Sequence, residues 1–206
     1  MSPIPVFRLV LASVMLLAGC VSPPAQTVTG AKTMRAPSTA NAPSAAPATV
    51  WVYPLIKGYG GVHPRPDLLA DLPAGREYKV IADVVHGSTD HAHVAGALER
   101  LARLQNLFAY VGVPREHVQI AAVIEGQAGW AILTNEAYRK RFKVDNPNLE
   151  LLGELRRSGV QLMTCAQALA ENDISDSDVS PDVRVTLSAL ADFVSYEAQG
   201  YGYLQL

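Results

Sequence analysis

Only two cysteines occur among the 206 residues, so at most one disulfide can form and a disulfide-stapled scaffold is excluded. Positive charge is not in surplus either: 17 Lys and Arg stand against 19 Asp and Glu, a net charge of −2. A protein that neutralises phosphates needs such a surplus, so no nucleic-acid partner is expected. Charged residues make up 17 % and apolar ones 49 %, a balance that excludes a wholly disordered chain. No apolar run is long enough to span a bilayer. The best candidate, Leu9–Leu17, is interrupted by Ser13. Nine helical residues reach about 14 Å, less than half of a hydrocarbon core. No internal repeat is visible.

What the first twenty residues do contain is the layout of a secretory signal. A single charge at Arg8 precedes the apolar stretch, and small residues follow it. The tetrad Leu17-Ala18-Gly19-Cys20 resembles the lipobox of bacterial lipoproteins. That resemblance implies that Cys20 carries the lipid (palmitate-class acyl chains) and becomes the first residue of the mature chain. Val21 follows it, not the Asp that resembles an inner-membrane retention signal. The expected location is therefore the cell envelope, lipid-anchored to the outer membrane and facing the periplasm. Residues 21–50 hold five Pro, eight Ala, three Ser and five Thr, and no Leu, Ile, Phe, Tyr or Trp. Such a segment buries too little apolar surface to offset its ordering entropy and reads as a tether. Thirty flexible residues span roughly 30 Å. Setting aside Arg8, Lys32 and Arg35 leaves 14 basic against 19 acidic residues, so the folded part, 51–206, carries about −5.

Aromatic residues resume at Trp51, and 51–76 is a Gly- and Pro-rich lead-in whose Tyr53, Leu55, Ile56 and Tyr59 are expected to pack on the domain. From there, strands and helices alternate. Tyr78–Val85, Val118–Ile124 and Val160–Thr164 are short, mostly apolar runs suited to buried strands. Val94, Leu98, Leu101, Leu104, Phe108 and Val111 recur with the period of one helical face, and Gly112 and Pro114 stop that helix. Shorter helices are expected from Thr134 to Phe142, from an Asn146 cap with Pro147 in the first turn to Ser158, and over Ala166–Glu171. A weak fourth strand at Val183–Leu187, a helix over Ser188–Gln199 and a closing strand at Tyr201–Leu206 complete the order. This alternation predicts a three-layer α/β/α sandwich with a mainly parallel sheet of about five strands.

If Cys20 is lipidated, Cys165 has no partner in its own chain, and an unpaired thiol is unusual in an oxidising compartment. It stands at a strand-to-helix junction, the edge of an open sheet where ligands bind, although a buried, inert cysteine fits the same position. No second cysteine follows at CxxC spacing, so any exchange chemistry needs an outside thiol or sulfur donor protein. Glu125 ends the second strand and His86 follows the first, so both share that edge as supporting candidates. His86, Asp90, His91 and His93 crowd one turn without a metal-site spacing, and no metal is assigned. Gly58-Tyr59-Gly60-Gly61 lacks the strand and helix of a phosphate loop, so no cofactor is expected. Arg139, Lys140, Arg141 and Lys143 read as a solvated helix face, with Glu136 placed to pair with Lys140.

The segment Asp145–Ile174 is similar to the DsrE/DsrF-like family of small sulfur-relay domains, especially its exported single-domain members. The matching residues are Asp145, Asn146, Pro147, Asn148, Gly159, Val160, Cys165, Gln167, Ala168 and Leu169. Tyr78-Lys79-Val80, Glu136-Ala137-Tyr138 and the tail Gln199–Tyr203 extend the likeness over about 53–206. The resemblance implies an α/β/α sandwich, homo-oligomers (a trimer or hexamer), and a cysteine at position 165 that carries sulfur as a persulfide, with Gln167 beside it. It points to a carrier more than to a turnover enzyme. The alternative is a non-catalytic binding or assembly lipoprotein that reuses the fold. Ala166 replaces the Gly expected after the cysteine, Asn172-Asp173 stand where a Gly-ending turn is common, and Glu125 stands where exported members tend to have His.

Overall fold

A computed structural model describes residues 50–206 of the chain. The leader expected at 1–20, the lipidation site Cys20 and the tether expected at 21–50, apart from Val50, lie outside the described residues. The five strands are β1 (Tyr78–Val84), β2 (Val118–Ile124), β3 (Gln161–Cys165), β4 (Arg184–Thr186) and β5 (Gly202–Gln205). All neighbours are parallel, in the order β4-β3-β2-β1-β5. The helices are α1 (Gly96–Tyr110), α2 (Asn135–Phe142), α3 (Leu149–Arg157), α4 (Ala166–Glu171) and α5 (Ala189–Ala198). Among the described residues no helix is long and apolar enough to cross a membrane.

The order explains the layers. From β1 to β4 the chain steps across the sheet in one direction, and each right-handed crossover places its helices on the same face. There Ala82, Val84, Ile120, Ala122, Ile124 and Leu162 meet Leu98, Leu101 and Phe108 of α1 and Leu151, Leu152 and Leu155 of α3. Each of these large side chains contributes about 1.5–3 kcal/mol by leaving water. From β4 the chain returns to the far side of β1, which puts α5 on the opposite face. The alternate strand residues point that way: Ile81, Ala121, Val123, Met163 and Cys165 pack with Ala189, Phe193 and Tyr196 of α5. One ten-residue helix covers this second face, and its own outer side leaves Leu190 and Val194 78 % and 70 % exposed.

Two boundaries differ from the sequence expectation. Val94 fits the period of α1 but lies outside it: Asp90 draws 90–93 into a turn through Ala92 N–H and His93, and Asn148 Oδ1 accepts from Ala95 N–H at 2.8 Å. Asn146 does not cap α3, which starts at Leu149 after Asn148. Its amide donates instead to the carbonyls of Ala131 and Leu133, and its Oδ1 accepts from Asn148 N–H, so Asn146 forms a buried brace before the helix. The lead-in is held by Asn106 of α1, which is fully buried. Its Oδ1 accepts from Leu55 and Ile56 N–H, and its Nδ2 faces the carbonyls of Ile56, Tyr59 and Gly60.

Candidate functional site at the carboxyl edge of the sheet

Parallel register places the chemistry-bearing residues in rows on the α5 face. Asp83 pairs in register with Val123 on one side and Gln205 on the other, and Val123 with Met163. Two residues further along β3 stands Cys165, in register with Thr186 of β4. Glu125 follows β2 with extended backbone (φ −147°), its N–H donates to Val84 O at 3.0 Å, and it lines a small cavity with Thr164, Ala168 and Leu169.

Cys165 is 5 % exposed and free of any disulfide. It belongs to the small cluster that includes Ala189, the first residue of α5, with Ala168 and Phe193 packed against it. Thr186, its neighbour on β4, donates to Asp192 Oδ2 and ties the first turns of α5 to the sheet. Gln167 does not turn toward the thiol: its Nε2 donates to Leu187 O at 3.0 Å, holding the segment that leads into α5. His86 Nδ1 lies 2.8 Å from Leu206 O, and Leu206 N–H donates to Asp83 O, so His86 latches the end of β5 against β1. Of the residues singled out in the sequence, Cys165 ends β3 and Glu125 follows the end of β2, the neighbouring strand. His86 and Gln167 brace the surrounding backbone. The other two histidines of the crowded turn diverge: His91 stacks on Phe142 at 3.7 Å and His93 pairs with Asp90 at 2.8 Å. Among the described residues no group of three or more His, Cys, Asp or Glu is placed to hold a metal.

The sequence reading missed Asp83 and Tyr203. Asp83 is 5 % exposed in the middle of the sheet. Its Oδ2 accepts from Tyr203 Oη at 2.5 Å and from Gln205 Nε2 at 3.3 Å, while its Oδ1 is buried with no partner. The hydrogen bond to Asp83, desolvation and the nearby negative charge push the Tyr203 phenol up to about 12. Burial, and then the charge of Asp83, raise Glu125 above the usual carboxylate range. One signal was legible: Asp83 is the only acidic residue inside the Tyr78–Val85 run, and a lone carboxylate in a buried strand calls for a partner or a role.

The fold and this edge define an open parallel α/β sheet carrying one thiol at the carboxyl end of its third strand, with the buried carboxylate of Asp83 on β1 and Glu125 at the end of β2. The chain belongs to the DsrE/DsrF-like family, whose model matches residues 79–206, more than half of its length. The match begins at the second residue of β1, so the lead-in precedes it. A solved structure of a protein of unknown function from Methanobacterium thermoautotrophicum superimposes with a TM-score of 0.49 at 18 % identity, covering 63 % of this chain and 100 % of that one. No curated protein matches the chain.

Proposed function

We propose that the protein is a sulfur carrier in which Cys165 accepts and passes on a sulfur atom. The observation that carries this reading is the free thiol at the carboxyl end of β3, in the small apolar cluster that includes Ala189 of α5. Membership of a family whose fold serves sulfur relay supports it. The step conserves electrons. The Cys165 thiolate attacks the outer sulfur of a donor persulfide, the donor's S–S bond breaks, and the donor leaves as a thiol, so the sulfane sulfur changes hands without an external oxidant. Because Cys165 is 5 % exposed, the residues packed around it must move for a donor to reach it. The test is sulfur loading of the full-length protein by glutathione persulfide, followed by peptide mapping. Label on the peptide containing Cys165, lost in Cys165→Ser, supports the reading; no uptake by the native protein overturns it.

The sequence layout supports placing this carrier in the cell envelope, anchored through Cys20 to the outer membrane on its periplasmic side. Labelled palmitate should enter the wild-type chain and not Cys20→Ser. Incorporation that survives the substitution would remove the anchor. A second reading, a binding or assembly lipoprotein in which Cys165 is only packed, draws on the Leu187, Leu190 and Val194 stripe, 70 % or more exposed on or beside α5. Self-association through that stripe into a trimer or hexamer is compatible with either reading. The two part company on Cys165→Ser: a carrier loses function with it, whereas an assembly protein does not.

A further inference from the structure

We propose that the outer edge of β5 docks a second copy of this chain, the two β5 strands pairing antiparallel about a two-fold axis at Leu204. This goes beyond the sulfur-carrier reading and does not rest on it. The sheet has two open edges, and they differ. β4, at one end, is three residues long, carries the exposed Arg184 and follows Pro181 and Asp182. Shortness, charge and proline are common means of keeping an edge strand from pairing with another chain. β5, at the other end, is also short, but from Gln199 to Leu206 the chain has no charged residue and no proline. All four residues of β5 are exposed, Tyr203 at 48 % and Leu204 at 37 %. Among the described residues β1 is its only strand neighbour.

This edge is also held in shape. Leu206 N–H donates to Asp83 O, and Leu206 O lies 2.8 Å from His86 Nδ1, which fixes the end of the strand. Tyr203 Oη and Gln205 Nε2 both donate to the buried Asp83 carboxylate, at 2.5 and 3.3 Å. Side chains already ordered in this way lose little further freedom when a partner strand arrives.

The register follows from alternation along the strand. Because Leu206 N–H is spent on β1, the main-chain groups of Gly202, Leu204 and Leu206 point inward, and those of Tyr203 and Gln205 point outward. In an antiparallel pair centred on Leu204, Tyr203 of each copy stands opposite Gln205 of the other. Each such pair exchanges two N–H to O bonds, so every outward group of the two residues finds a partner. Leu204 meets its own counterpart as the non-hydrogen-bonded pair, with Cα atoms about 4.5 Å apart. Apolar thus faces apolar at the axis, with no like charges opposed. An axis perpendicular to the sheet keeps each face continuous, so the two α5 helices, which pack on β1 and β5, come to lie on one side of the joined sheet. The ladder alone is small against the roughly 1,000 Å² that a stable interface buries, and the exposed Leu190 and Val194 of α5 are the apolar area at hand to extend it.

The experiment is sedimentation velocity on the full-length protein, on Leu204→Lys, on Leu204→Glu and on an equal mixture of the two variants. The wild type is expected to sediment as a dimer or a multiple of one at micromolar concentration. Each variant alone opposes like charges at the axis and is expected to need at least about tenfold more protein to associate. The mixture is expected to regain association, because Lys then faces Glu. Mild oxidation followed by peptide mapping reads the register: Leu204→Cys is expected to join position 204 of the two copies, since about 4.5 Å lies within disulfide range. Gln205→Cys, whose counterpart is displaced by two residues, about 7 Å, along the strand, is expected to stay unlinked. A monomeric wild type, charge variants that leave association unchanged, a mixture that stays apart, or cysteines that link no better at 204 than at 205 overturns the proposal.

Discussion

Replacing Asn106 by alanine tests how the lead-in is fastened. The side chain is fully buried and serves five backbone groups: the N–H of Leu55 and Ile56, at 2.9 and 2.8 Å, and the carbonyls of Ile56, Tyr59 and Gly60. Alanine removes all of these partners at once. A buried donor left unmatched costs about 1–3 kcal/mol. Two such N–H groups set a loss of roughly 2–6 kcal/mol, with the carbonyls adding less because a single acceptor has other geometries open to it. A shift of segment 53–61 outward, which rehydrates these groups, reduces the loss and exposes Ile56, now 1 % exposed. Denaturant unfolding at neutral pH with limited proteolysis separates the two: either stability falls by at least about 2 kcal/mol, or cleavage within 53–61 appears in the native state. Asn106→Ala with less than about 1 kcal/mol lost and a lead-in still resistant to protease would refute the reasoning.

Three further outcomes follow from the geometry. Gly60 sits at φ +59° against the backbone of Ala102 and Arg103, so Gly60→Ala should cost roughly 3 kcal/mol or more, read by the same unfolding curves. Glu125 is raised in the folded state, so the stability it contributes is present at acid pH and is lost as pH rises through its folded midpoint. Glu125→Gln should therefore flatten stability against pH just above the ordinary carboxylate range and leave the protein more stable than wild type at pH 7. If the Leu190–Val194 stripe is a contact between copies, the double substitution Leu190→Lys, Val194→Lys should convert the assembly to monomer in sedimentation; an unchanged assembly would place the contact elsewhere.

How far the sequence carried this account depends on the period of its apolar residues. β2 ends where its apolar run Ile120–Ile124 does, since a strand buried on both faces writes itself as a continuous stretch. α2 begins after Thr134, whose hydroxyl accepts from Ala137 N–H, a cap visible in sequence. Asn146 misled because an Asn before Pro looks like a cap, whereas its amide is spent on carbonyls of a distant turn. The 3-10 segment Gly126–Ile132 left no periodic signal, because its buried Ala128, Ala131 and Ile132 fit no single repeat. At the site, Cys165 and Glu125 were legible from their positions at strand ends. Tyr203 was not, because its partner Asp83 lies 120 residues earlier and only the return of β5 to the far side of β1 brings them together.

The central claim is that Cys165 carries sulfur, and intact mass of the freshly purified protein, before and after a reductant, tests it most directly. The account predicts a population heavier by one sulfur atom, mapped to the peptide containing Cys165 and removed by reductant. A single unmodified mass in both samples, with glutathione persulfide unable to shift it, would contradict it.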